Sequence, residues 1–273
     1  MPSESDRIFS AIRNEFWELN LTPDICAALL SKLDHCKVRI LTQEISCNFK
    51  IEEPQAIIEN NFLCLPGAGL NIDFRKTANA ILREDHLSGG QLELVLTSID
   101  RNEQLTIEIP QSGKNPLSIL TKELIKTHDS LPRAATFAAQ QRHLCPCCIK
   151  RREKTRSRIS SHPLYHIISF ACLLNEEVCL DLHGCMTTCS RTFLPVRECH
   201  PEGIISLASM DSVIAIDLGE VFQSIGQLTD FEGEKSTIFQ CYNSHGRLLL
   251  SLIQQNRKLF EVWGQMTQEV HGK

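Results

Sequence analysis

Ile72-Asp73-Phe74 and, 144 positions further on, Ile216-Asp217-Leu218 decide how this chain is read. At the same shift Leu105 falls on Leu249 and Gly89 on Gly233, with no gap. Asn102, in Asp100-Arg101-Asn102-Glu103, falls on Gly246, in Ser244-His245-Gly246-Arg247. Asn and Gly tolerate positive φ, so a hairpin turn at that place predicts one or the other. Both stretches run into an apolar segment with helical spacing, Leu117–Lys126 in the first and Phe260, Trp263, Met266 and Val270 in the second. Upstream, Thr42–Phe49 resembles Asn175–Leu182 at a different offset, as a changed loop length would give. The chain reads as two copies of one sheet-plus-helix unit.

The strands themselves follow from alternation. Ile45, Cys47, Phe49 and Ile51 alternate with polar residues, as do Leu92, Leu94, Leu96 and Leu105, Ile107, Ile109. That period marks half-buried antiparallel strands. In Val178–His183 it predicts Val178, Leu180 and Leu182 on the core side and Cys179, Asp181 and His183 opposite; Ile45 and Phe49 are predicted buried and Lys50 outward. Before the first copy, Ile8, Ile12, Phe16 and Leu19 recur at helical spacing, and Thr22-Pro23-Asp24 caps a second helix carrying Ile25, Leu29, Leu30 and Leu33. The fold class expected is α+β. Its order is N-terminal helices over 1–35, a first module over 36–127, a connector over 128–162 and a second module over 163–273, the modules related by a pseudo-twofold axis.

Composition narrows the function. With 28 Lys+Arg against 33 Asp+Glu the net charge is −5, which argues against a chain that coats nucleic acid. Hydrophobic residues at 42% suit a globular core, and no apolar run reaches the length of a membrane helix. The polar, acidic start Met1–Asp6 is not signal-peptide-like, so a cytoplasmic setting and reduced cysteines are expected. Eight of the thirteen cysteines lie between Cys145 and Cys199. There is no G-x-S-x-G, Walker loop or G-x-G-x-x-G, and no residue is singled out as catalytic.

The duplicated unit resembles the haemin-utilisation proteins of the HemS/ChuX type, whose chains carry two strand-rich modules. Their Leu-x-Leu-Arg strand is matched by Leu70-Asn71-Ile72-Asp73-Phe74-Arg75 and by Ile214-Ala215-Ile216-Asp217-Leu218, and their final Trp-bearing helix by Trp263. Asn175–Gly184 resembles the family's Asn-x-Gly-x-Ile-Gln-Ile-His-x-Gly strand. Two places depart from the pattern. Asp217 stands where the family's second copy usually has His, and a Cys- and Arg-rich segment replaces long connector helices. The resemblance implies a haem-binding protein for storage, delivery or breakdown of haem, with haem or a related tetrapyrrole as partner.

Iron ligation needs an imidazole, thiolate, phenolate or thioether, and propionates need cations. The resemblance places an iron-coordinating His near the start of the second copy, where His162 and His166 stand; Pro163 makes His162 a helix start. His183 joins them because it shares a strand face with Cys179 and Asp181. Arg75 is the candidate for a propionate. Each histidine also has an ordinary reading as a surface residue.

His143-Leu144-Cys145-Pro146-Cys147-Cys148 is a separate signal. A C-x-x-C turn brings two thiolates to one zinc or iron ion, so His143, Cys145, Cys147 and Cys148 are candidate ligands. Cys145-Pro146 is also the dipeptide of haem-regulatory motifs, although thirteen cysteines and eleven prolines in 273 residues predict about half of one such pair by chance. Six basic residues between Lys150 and Arg158 read first as a solvated linker, and alternatively as propionate cations, a protein-partner surface or a nucleic-acid arm. The second functional reading is therefore a regulatory or binding protein of the same fold, with a Cys-rich structural metal site and no haem.

Overall fold

The computed structural model describes residues 17–85, 91–110, 117–120, 124–125, 146–194, 197–199, 202–209, 211–231, 234–255 and 257–271. The first copy runs through helix α1 (Pro23–Leu30), strands β2 (His35–Thr42), β3 (Ile45–Glu52), β4 (Ile57–Glu59), β5 (Phe62–Leu65), β6 (Leu70–Asp73), β7 (Thr77–Asp85), β8 (Gln91–Ser98) and β9 (Glu103–Ile109), and helix α2 (Leu117–Leu120). Strands β1 (Trp17–Leu19) and β10 (Leu124–Ile125) flank it. Helix α3 (Pro146–Ser157) then leads into the second copy. That copy has helix α4 (Pro163–Leu174), strands β11 (Val178–His183), β12 (Thr187–Phe193), β13 (Arg197–Cys199), β14 (Ile204–Ala208), β15 (Ser212–Asp217), β16 (Gln223–Phe231), β17 (Glu234–Tyr242) and β18 (Leu248–Gln254), and helix α5 (Lys258–His271). The elements match one for one. This is an α+β fold of two antiparallel-sheet-plus-helix modules.

Two compact units result, and each borrows a short piece from the other copy. The first unit has strand order β10-β1-β7-β8-β9-β2-β3, and a ladder β6-β5-β4 beside the borrowed Gly184–Thr188. The second has β16-β17-β18-β11-β12, and β15-β14-β13 beside the borrowed Glu44–Cys47. The borrowing is built the same way twice. Asp73 N–H donates to the Met186 carbonyl at 2.8 Å, and Asp217 N–H to the Glu44 carbonyl at 2.9 Å.

Strand alternation is met. Ile45, Phe49, Val178, Leu180 and Leu182 are buried, whereas Lys50 is exposed and Asp181 and His183 are half-buried on the other face. Asp73 and Asp217 each cap a 3₁₀ turn by accepting from the backbone N–H two residues on, as their shared position predicts. Thr22 caps α1, with Pro23 in its first turn.

Three expectations are corrected. Leu19 belongs to a strand, β1, held between β7 and β10, because pairing on both sides there outweighs the helical spacing of its apolar residues; Ile8, Ile12 and Phe16 lie outside the described residues. The upstream match also shifts by one strand. β2 pairs β9 and β11 pairs β18, so Val178–His183 corresponds to the strand before Thr42–Phe49. Finally, the positive-φ residue of the first turn is Arg101 (φ 55°) and not Asn102, while Gly246 (φ 74°) holds that place in the second. From β8 onward the true shift is therefore 145, one more than at Asp73 and Asp217.

Candidate functional site

His162 opens α4 as its N-cap. Its Nδ1 accepts from Leu164 N–H at 3.1 Å, and its Nε2 lies 3.2 Å from the Val221 carbonyl, so that nitrogen carries the proton. Both ring nitrogens are used and the side chain is buried. Burial holds its pKa below the ordinary imidazole value, with the Val221 carbonyl opposing. It serves as a structural cap, with both ring nitrogens engaged inside the protein.

One turn along α4, His166 is exposed. Its ring makes an edge-to-face contact with Tyr165 at 5.6 Å. Among the described residues neither ring nitrogen has a hydrogen-bond partner. The opposite face of α4 buries Leu164, Ile167, Ile168 and Ala171, which fixes the orientation of the helix.

His183 ends β11, half-buried, with Nε2 3.5 Å from Ser251 Oγ. Burial lowers its pKa and the Asp181 charge opposes this. Asp181 accepts from Ser190 Oγ at 2.6 Å and from the Cys179 thiol at 3.7 Å. Burial raises the Cys179 pKa. Alternation placed Cys179, Asp181 and His183 together; Ser190, arriving on β12, was not foreseen, because nothing local signals a cross-strand partner.

Arg75 belongs to the first unit, where it forks onto the Asp73 carboxylate at 2.9 and 2.8 Å and covers the Phe62 ring at 4.9 Å. These bonds hold the Asp73 carboxyl below the usual carboxylate range.

His143 and Cys145 lie outside the described residues. Cys147 is exposed and Cys148 half-buried, adjacent on α3. Among the described residues no group of three or more His, Cys, Asp or Glu converges on a possible metal position, so the zinc or iron expectation gains no support. Other cysteines act as small core residues. Cys26, Cys36 and Cys241 are buried, and burial pushes each thiol up to about 12.

The basic run is the largest surprise. Lys150–Ser157 lies within α3, which packs on the turn after β15 rather than forming a solvated linker. Arg152 pairs with buried Glu220 at 2.7 Å, Arg156 with both oxygens of Asp217, and Arg151 donates to the Phe222 carbonyl at 2.6 Å. Gly219 admits the helix: a Cβ there would come within 2.6 Å of Arg152 Cγ. Asp217, which stands where the resemblance expected His, is thus the anchor of α3 and is not presented to a ligand.

The duplicated sheet-plus-helix modules have the fold of solved haem-utilisation proteins. The chain superposes on the heme degrading enzyme ChuS of Escherichia coli O157:H7 with a TM-score of 0.66 at 9% identity, over 97% of this chain and 90% of that one. It superposes on holo-PhuS, a heme-binding protein from Pseudomonas aeruginosa, with a TM-score of 0.63 at 10% identity, over 92% and 84%. The likeness is one of fold. No family model matches the sequence, and no curated protein matches it. Among the described residues no helix is long and apolar enough to cross a membrane.

Proposed function

We propose that the chain binds haem and serves haem or iron utilisation, with His166 as the protein ligand to iron. The observation that carries this is the contrast along α4: His162 spends both nitrogens on the fold, whereas His166 stands one turn on with both unengaged. The shared fold with a haem-binding and a haem-degrading protein supports the ligand class. An imidazole carried on a packed helix would suit holding haem iron, because the helix fixes where the side chain starts. Bound haem would supply the redox chemistry, and this chain's part is to hold and orient it.

Titration with haemin, followed at the Soret band, is the test. Saturable binding at micromolar haemin is expected, and His166→Ala should weaken it about tenfold or more while His183→Ala leaves it nearly unchanged. No saturable Soret shift at micromolar haemin, or a titration unchanged by His166→Ala, overturns the assignment. Breakdown differs from storage or delivery in needing O₂ and a reductant. Loss of the Soret band when ascorbate is added in air, with catalase present to remove peroxide, would select breakdown.

A further inference from the structure

The same sheet face is closed in the first unit and open in the second. Strand pairing aligns the two faces: Arg39 lies opposite Thr106 as Asp181 lies opposite Ser251, and Glu93 opposite Glu108 as Ile238 opposite Ile253. Likewise Arg83 opposite Glu93 corresponds to Gln227 opposite Ile238. In the first unit Glu93, with no exposed surface, receives Arg39 and Arg83 at 2.8 Å each, and Lys37 meets Glu108 at 3.6 Å. Charge pairs fill that face.

At the matching positions of the second unit stand Cys179, Asp181, Gln227, Ile238 and Ile253, and a cavity of about 570 Å³ opens against Cys179, Asp181, Ile238 and Ile253. This volume lies within the range of small-ligand sites, roughly 300–1,000 Å³. Its walls are apolar at Val178, Ile238 and Ile253, while Asp181 and Glu177 supply carboxylates. Among the described residues no Lys or Arg lines it. Ser190 Oγ and the Cys179 thiol orient the Asp181 carboxylate without neutralising it.

We propose that this cavity is a binding site for a small organic cation: an apolar body against Ile238 and Ile253, with an ammonium or amidinium group paired to Asp181. A carboxylate beside an apolar wall is stabilised by a cation brought with the ligand, and two carboxylates repel an anionic one. Haem, with its propionates, is the wrong charge for this site, so the proposal stands apart from the haem reading.

The probes are 4-phenylbutylamine and its carboxylate analogue 4-phenylbutyrate, added to the full chain. Backbone NMR shifts should move on β11, β17 and β18 with the amine and not with the acid. Alkylation of Cys179 by N-ethylmaleimide, read by mass spectrometry, should slow about threefold or more with the amine while exposed Cys147 reacts unchanged. Asp181→Asn, nearly isosteric, should weaken the amine about tenfold. Ile238→Arg, which places a cation in the cavity, should abolish amine binding, with circular dichroism confirming the fold of both variants. The proposal is overturned by no amine binding up to roughly 10 mM. Equal binding of amine and acid, or amine affinity indifferent to Asp181→Asn, overturns it as well.

Discussion

The two units grip their borrowed segments with the charge on opposite sides. In the first, Glu103 at the start of β9 is wholly buried and accepts from the N–H groups of Met186 at 2.6 Å and Thr187 at 3.0 Å, and from the Thr187 hydroxyl. Gly184 leaves room for it, since a Cβ there would lie 2.3 Å from Glu103 Oε1. In the second unit the carboxylate arrives with the borrowed segment. Glu44 accepts from Asn243 Nδ2 at 3.1 Å and Arg247 at 3.2 Å, both on the matching turn. The backbone bonds of the two joints agree within 0.1 Å, at 2.8 and 2.9 Å, while the buried carboxylate comes from opposite sides and meets different donors. A duplicated backbone needs each buried polar group satisfied, and does not prescribe which partner brings the charge. That freedom is why the copies match in shape and differ in letters.

The largest expected effect breaks the first joint. Glu103→Ala strands two buried N–H groups and should cost about 4 kcal/mol in denaturant unfolding, because hydrogen bonds to charged groups are the expensive ones to lose. Glu44→Ala should cost only about 2 kcal/mol, since Arg247 is part-exposed and water takes over its guanidinium. Equal losses at the two positions would show that the contrast in partners carries no energetic weight.

A middle-sized effect separates the helices that open the copies. Thr22 caps α1 with a hydroxyl, while His162 caps α4 with an imidazole whose folded pKa is depressed. The unfolded state then binds the proton more readily. The cap's contribution is present above the unfolded pKa, about 6.5, and is lost as pH falls through the folded value. Stability should therefore fall as pH drops below about 6.5, and His162→Thr should flatten that slope. Thr22→Ala should lower stability equally at every pH; a slope that survives His162→Thr would assign the titration elsewhere.

The smallest effect sharpens the turn comparison. Arg101→Gly relieves a left-handed residue and should gain about 0.5 kcal/mol, whereas Gly246→Arg should lose about 1 kcal/mol. Thermal midpoints moving in the same direction for both would show that the turns are not equivalent.

By itself the sequence determined what depends on near neighbours. Alternation sorted Leu180 from Asp181, the Thr22-Pro23 pair started α1, and the shared Asp73 and Asp217 marked the duplication, since side-chain period and capping act within a turn or a strand. Of the candidate site, the histidines at the head of the second copy were visible, and their division of labour was not. Only the tertiary structure decided that His162 is consumed by Val221, that Asp217 meets Arg156, that Leu19 joins a strand, and that the upstream match slips by one strand. Each of those outcomes is a choice of partner between groups 59 or more positions apart in sequence. Periodicity says which face a side chain takes; the partner it meets there is set by which distant strand or helix completes the hydrogen bonds of the buried backbone.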